Sequence, residues 1–237
     1  MIQLKNLTKI YQTDQIQTIA LNRINLTINY GDFISIMGPS GCGKSTLLNI
    51  LGLIDHANSG SFLLNNREVI NINEKKRSLI RKQNIGFIFQ NFYLISEMPI
   101  YDNIELPLLY NKVPSVIRKK KIYEIAERLS ISHRLNHYPR QLSGGQQQRT
   151  AVARALIHDP KIVLADEPTG NLDSVNRREV MELIADIHAQ GTTVLMVTHS
   201  NIDATYAQKT INMKDGRIFS EKYNNNKIDI LINPPTK

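Results

Sequence analysis

Tryptophan is missing from the 237-residue sequence, and there is a single cysteine, Cys42. One thiol excludes an internal disulfide and a cysteine-built metal centre, and it fits a reducing compartment. No apolar run approaches the roughly 18 residues of a membrane-spanning helix, so any crossing of a membrane is expected of another chain. Acidic residues are scarce: 21 Asp and Glu stand against 29 Lys and Arg, a net charge of +8. That balance suits an anionic ligand, a nucleic acid or an anionic membrane surface and does not choose among them. The 41% hydrophobic content is enough, at this length, for one large α/β domain with a real core.

The densest signal is the run Gly38, Pro39, Ser40, Gly41, Cys42, Gly43, Lys44, Ser45, Thr46. Apolar residues 33–37 precede it as a strand, and Leu47, Leu48, Ile50 and Leu51 follow at helical spacing, so the run occupies a strand-to-helix turn. Its glycines let successive backbone N–H groups face phosphate oxygens, and the helix adds its positive end. Lys44 supplies a point charge for the β- and γ-phosphates, and Ser45 a hydroxyl for Mg2+. Cys42, at a helix N-terminus near Lys44, is either a reactive thiol or an inert small residue.

Residues 2–37 alternate apolar and polar, which predicts antiparallel strands with one wet face. Tyr11 among them either packs or stacks on a nucleotide base. Short strands and a charged connector over 74–82 lead to the buried-type strand Ile85–Phe89, which ends at Gln90, at the edge where open α/β sheets bind ligands. From 91 to 139 the composition shifts to Pro, Tyr and Asn with a basic amphipathic helix whose stripe is Ile122, Ile125, Ala126 and Leu129. The run Arg118 to Lys121 on that helix reads as a solvated face. Ser143, Gly144, Gly145 and Gln146 open a further helix, a second helix end that an anion can approach. The strand 162–165 terminates in Asp166, suited to Mg2+, and Glu167, suited to deprotonating a water, with Pro168 stopping it. Val180, Leu183, Ile184 and Ile187 form a helical face that Gly191 ends, and a buried strand over 193–197 runs to His199, which either serves structure or bonds a γ-phosphate. Beyond Phe219 the chain turns polar and is expected to fray.

Five ordered motifs, GPSGCGKST, Phe89-Gln90, LSGGQQQR at 142–149, VLADEPTGNLD at 163–173 and Thr198-His199, resemble those of the ATP-binding-cassette ATPases over residues 2–221. The resemblance implies an α/β fold: a P-loop NTPase core with a mainly parallel sheet (1–90 and 140–221), an N-terminal antiparallel β-subdomain, an inserted α-helical subdomain (91–139) and a polar tail (222–237). It implies ATP and Mg2+ as cofactors and ATP hydrolysis as the activity, with Tyr11 on the adenine and residues 38–46 on the phosphates. It further implies Ser45, Gln90 and Asp166 around the metal, Glu167 as general base and His199 on the γ-phosphate. Ser143, Gly144, Gly145 and Gln146 would bind the γ-phosphate held by another subunit, and Asp173 would cross the dimer interface. The partners implied are a second copy on ATP binding and an integral membrane permease, with no nucleic acid, at the cytoplasmic face of the inner (plasma) membrane. FIFQNFYLI, NIELPLLY and ADEPTGNLDS resemble the macrolide-exporting and lipoprotein-releasing branch, so a lipophilic compound, peptide or lipoprotein is the expected cargo. Ser200 stands where many relatives are acidic.

Overall fold

The computed structural model describes residues 1–12 and 16–224. Its first elements are β1 (Ile2–Gln12), β2 (Gln17–Ile28), β3 (Phe33–Met37), α1 (Lys44–Leu51), β4 (Ser59–Leu64) and β5 (Arg67–Glu68). Then come α2 (Glu74–Asn84), β6 (Ile85–Phe89), α3 (Ile100–Tyr110), α4 (Ser115–Arg128), α5 (Gly144–Leu156) and β7 (Ile162–Asp166). The last are α6 (Ser174–Ala189), β8 (Thr193–Val197), α7 (Asn201–Ala204), β9 (Lys209–Lys214) and β10 (Arg217–Tyr223). Contacts divide the chain into two units, Met1–Ile72 together with the chain from Thr193 onward, and Asn73–Thr192.

In the first unit the alternating pattern becomes an antiparallel sheet of order β2-β1-β4-β5. Leu4 lies opposite Leu26 on one side and Phe62 on the other, and Ile2, Leu4, Leu7, Ile24, Leu26 and Ile28 are all buried. Alternation with period 2 puts one set of side chains on one face, which is why this sheet was readable from its sequence. A second sheet runs β10-β9-β3-β8. There β3 is parallel to both neighbours, and its Phe33, Ile34 and Ile36 are buried as an unbroken run, the signature of a strand covered on both faces. The one polar residue inside it, Ser35, is satisfied by the Thr210 hydroxyl 2.8 Å away.

β10 continues to Tyr223, past the point where fraying is expected. Lys222 and Tyr223 pair with Thr210 and Lys209, and the Asn224 amide donates to the Ala204 and Ala207 carbonyls and to Thr210 Oγ1. Residues 225–237 of the expected tail lie outside the described residues.

In the second unit β6 and β7 pair in parallel, with Phe89 opposite Asp166. A side chain at Gly86 would meet the Ala155 carbonyl at 2.3 Å, so α5 sits directly on the backbone of β6. The segment 74–82, expected as a connector, is the helix α2. Asn73 caps it by accepting from Lys76 N–H, Glu74 lies in its first turn and Arg81 and Lys82 in its last, each favourable to the helix dipole. None of its residues is buried, so it lacks the apolar stripe by which a helix is recognised. In α4 the expected stripe holds at Ile122, Ala126 and the following Leu129, all buried, while Ile125 is half-buried.

The turn before α3 is organised by Asn103, whose exposure is 0%. Its Oδ1 accepts from Ile95 N–H at 2.8 Å, and its Nδ2 reaches the carbonyls of Ile95, Met98 and Pro99 at 3.0–3.2 Å. Asn103→Ala strands these buried groups, so the unfolding free energy should fall by about 2–4 kcal/mol. Chemical denaturation of the two proteins measures it, and a change below about 0.5 kcal/mol would show that the turn is held by something else.

Candidate active site

The phosphate-type loop joins β3 to α1. A Cβ at Gly38, where φ is +151°, would lie 2.2 Å from the Met213 carbonyl, and one at Gly43, where φ is +99°, 2.3 Å from the Ala20 carbonyl. Conformation and space both demand glycine there. No side chain caps α1 and its first turn carries no acid, so its leading N–H groups face outward with the positive end of the helix behind them. Lys44 is 5% exposed, and its ammonium rests on the Gly38 and Pro39 carbonyls at 2.9 Å each. Pro39, Ser40, Gly41 and Ser45 are exposed and Thr46 is half-buried. Of the two readings of Cys42, burial favours the inert one: it is 4% exposed and its sulfur is packed against Gly38.

Tyr11, next to last in β1, is exposed. Its hydroxyl donates to Asp55 Oδ2 at 2.8 Å, and the Thr46 side chain lies beside it. Partial burial, and then Asp55, push the phenol above its ordinary pKa. Lys9 donates to Asp55 Oδ1 at 2.7 Å. His199 is exposed just beyond β8. On either side of it, Thr198 Oγ1 accepts from Ser200 N–H and the Ser200 hydroxyl caps α7 by accepting from Asp203 N–H. Ser200 thus does the work of a helix cap.

In the second unit, Asp166 closes β7 and Glu167 follows it with φ +47°, a left-handed conformation that costs a non-glycine residue of order 1 kcal/mol or more. The surroundings hold it there. Glu167 C=O accepts from Gly170 N–H at 3.0 Å, and the buried Gln148 amide donates to Pro168 C=O at 2.5 Å. Gln90, at the end of β6, is locked to the loop after β7: its Nε2 donates to Asn171 Oδ1, and Asn171 Nδ2 donates back to the Gln90 carbonyl and to Asn91.

The helix opening at Ser143 is less bare than its glycines promise. Ser143 Oγ accepts from Gln146 N–H while Gln146 Oε1 accepts from Ser143 N–H, a closed capping box. A Cβ at Gly145 would fall 1.8 Å from Asn176 Oδ1. Asn176 in turn donates to Asp173, which caps α6 through Val175 N–H and Asn176 N–H at 3.0 Å each. These bonds, led by that from Asn176 N–H, hold the Asp173 carboxyl below the usual carboxylate range. The start of α5 and the start of α6 are therefore one interlocked piece.

Beyond Gln90 the chain turns through Phe92 and Tyr93 at φ +59° and +46°. Arg154 of α5 clamps this turn by donating to both carbonyls, at 2.6 and 2.5 Å, and burial pushes its pKa down. The turn borders an open groove of about 850 Å³ lined by Lys75, Lys82, Phe87, Tyr93, Leu106 and Tyr110 among others. Of the apolar residues that follow Gln90, Tyr93 is 62% exposed, whereas Phe92, Leu94, Met98 and Tyr101 are half-buried.

Sequence reasoning missed Lys9, Asp55, Gln148, Arg154, Asn171 and Asn176. Gln148 alone left a trace, as a polar residue on the buried face of an amphipathic helix. As for a metal, no group of three or more His, Cys, Asp or Glu able to hold one exists among the described residues. Mg2+ needs no such cage: it takes hard oxygens from one or two side chains, substrate phosphates and water, and the hydroxyl of Ser45, the carboxylate of Asp166 and the amide oxygen of Gln90 are donors of that kind.

Residues 21–170 match the family described as ABC transporter. The chain is 47% identical over 218 residues to an uncharacterized ABC transporter ATP-binding protein of Methanocaldococcus jannaschii, covering 92% of this chain and 97% of that one. It is 43% identical over 234 residues to a macrolide export ATP-binding/permease protein of Chlorobaculum tepidum, covering 99% of this chain but 35% of the relative. It thus spans about a third of the length of such fused relatives. Among solved structures, a dimeric ATP-binding cassette in a post-hydrolysis state with ADP and Pi superposes with a TM-score of 0.88 at 40% identity, over 94% of this chain and 99% of that one. The chain belongs to the ABC transporter family, as an ATP-binding domain with ATPase function.

Proposed function

We propose that the chain is the ATP-hydrolysing subunit of an exporter. Two copies close over two MgATP at the cytoplasmic face of the plasma membrane and drive a permease that moves a lipophilic compound, a peptide or a lipoprotein. Macrolide-export relatives that join an equivalent stretch to a permease support this, as does the dimeric form of a similar cassette. The observation that carries hydrolysis is the construction at Glu167, a residue at positive φ whose carbonyl accepts from Gly170 N–H and whose neighbour Pro168 accepts from the Gln148 amide.

In this reading Lys44 and the N–H groups at the start of α1 bind the β- and γ-phosphates, and Tyr11 stacks on adenine. Ser45, Asp166 and Gln90 would hold Mg2+, which when bound would supply positive charge against the phosphoryl oxygens. Glu167 accepts the proton of the attacking water and His199 hydrogen-bonds the γ-phosphate. Ser143, Gly144, Gly145 and Gln146, with Asp173, act on the ATP held by the other copy. The Arg154 clamp lets the Gln90 end of β6, the start of the turn and α5 move together, so the groove beside Tyr93 receives the permease segment.

Glu167→Gln keeps the shape and loses the base, so hydrolysis should drop about 10²- to 10⁴-fold while ATP binding persists and an ATP-bound dimer accumulates on size-exclusion chromatography. Steady-state turnover within about threefold of wild type would refute the assignment. For the groove, Tyr93→Asp and Leu106→Glu should leave nucleotide binding by the purified chain intact and abolish co-purification with the membrane protein it drives. Undiminished co-purification would place docking elsewhere.

A further inference from the structure

Lys9 is a buried lysine, 5% exposed, whose charge is answered by Asp55 Oδ1 at 2.7 Å and the His56 carbonyl at 2.8 Å. Those contacts alone would complete an internal ion pair. Asp55, however, also reaches outward, its second oxygen accepting from the Tyr11 hydroxyl at 2.8 Å. The Lys9 ammonium itself lies 4.7 Å from the centre of the Tyr11 ring. A tyrosine 44% exposed ordinarily samples several rotamers. This one is gripped at its ring and at its hydroxyl by two residues 46 positions apart. Burial by itself would raise the Asp55 carboxyl, but the bonds from Lys9, Tyr11 and His56 N–H outweigh it and hold the group below its usual range, so the carboxylate that anchors both residues is ionised at neutral pH.

We propose that Lys9 and Asp55 are positioning residues for base recognition, fixing Tyr11 as a one-sided plate on which the purine of ATP stacks. This rests on the ATP-binding reading above and adds the part of the affinity that comes from the base rather than the phosphates. The physics has two parts. A ring already ordered loses little freedom when a ligand arrives. A cation against the ring draws on its negative quadrupole, which lowers the repulsion felt by a second π-system lying flat on the remaining surface. A lysine needed for packing alone has no reason to share its carboxylate with an exposed phenol.

The test separates base from phosphate. Calorimetry on the full chain compares MgATP with magnesium tripolyphosphate for wild type, Lys9→Met, Lys9→Arg and Tyr11→Phe. Lys9→Met and Tyr11→Phe should weaken ATP about three- to tenfold and leave tripolyphosphate unchanged, and Lys9→Arg, which keeps the cation, should retain most of the ATP affinity. Equal losses for both ligands would make the network a structural support and overturn the proposal, as would ATP affinity unchanged in both variants. Should Lys9→Met fail to fold, Tyr11→Phe decides, because it removes only a surface hydroxyl. A wild-type chain that binds neither ligand would instead refute the ATP-binding reading itself.

Discussion

Parallel hydrogen bonding between strands is the constraint from which the functional residues take their places. β3 runs beside β8 with Ile36 opposite Val197, so the phosphate loop and His199 leave that sheet from one edge. β6 runs beside β7 with Phe89 opposite Asp166, and Gln90 and Glu167 leave theirs in the same way. All the interior positions of β3 and β8 are buried, which leaves the carboxyl edge as the place where polar groups can emerge. A reversal of either pair would send its two polar ends to opposite edges and dissolve the grouping.

In the second unit the carboxyl ends of β6 and β7 are then fixed by side chains outside the proposed chemistry. Asn171 ties the ends of β6 and β7 by bonds in both directions, Gln148 pins the carbonyl next to Glu167, and Arg154 holds two consecutive left-handed residues. Each reaches a backbone carbonyl rather than another charge. The neutral amides of Asn171 and Gln148 satisfy a carbonyl without bringing in a charge that must be desolvated, whereas the Arg154 guanidinium does bring one, and burial pushes its pKa down.

What the sequence made legible follows from this division. The strands were readable because burial on one face writes alternation and burial on both writes an unbroken apolar run. The phosphate loop was readable because its residue types and their spacing all fall within one short stretch, 38–46. α2 was not, since a helix with no buried residue leaves no periodic trace, and its Asn73 cap looks like any loop asparagine. The capping box at Ser143 and Gln146 lay in plain sequence, yet the glycines between them drew the reading toward an open helix end. The Lys9–Asp55 pair spans 46 residues, and no local pattern encodes a contact between a strand lysine and an acid in a distant loop. For Cys42 the neighbours in sequence left reactivity open, and only the packing against Gly38 shows why the sulfur is shielded.

Glu167 carries a consequence for how this chain tolerates change. A residue with a Cβ at φ +47° is held against its own preference, and glycine would adopt the same angle without that cost. Substitution by glycine would therefore ease the backbone at a position where the proposed chemistry needs a carboxylate, so fold stability and turnover pull in opposite directions there. A screen that rewards only soluble, well-folded protein would drift toward losing this side chain, while one that rewards export would keep the strain in place.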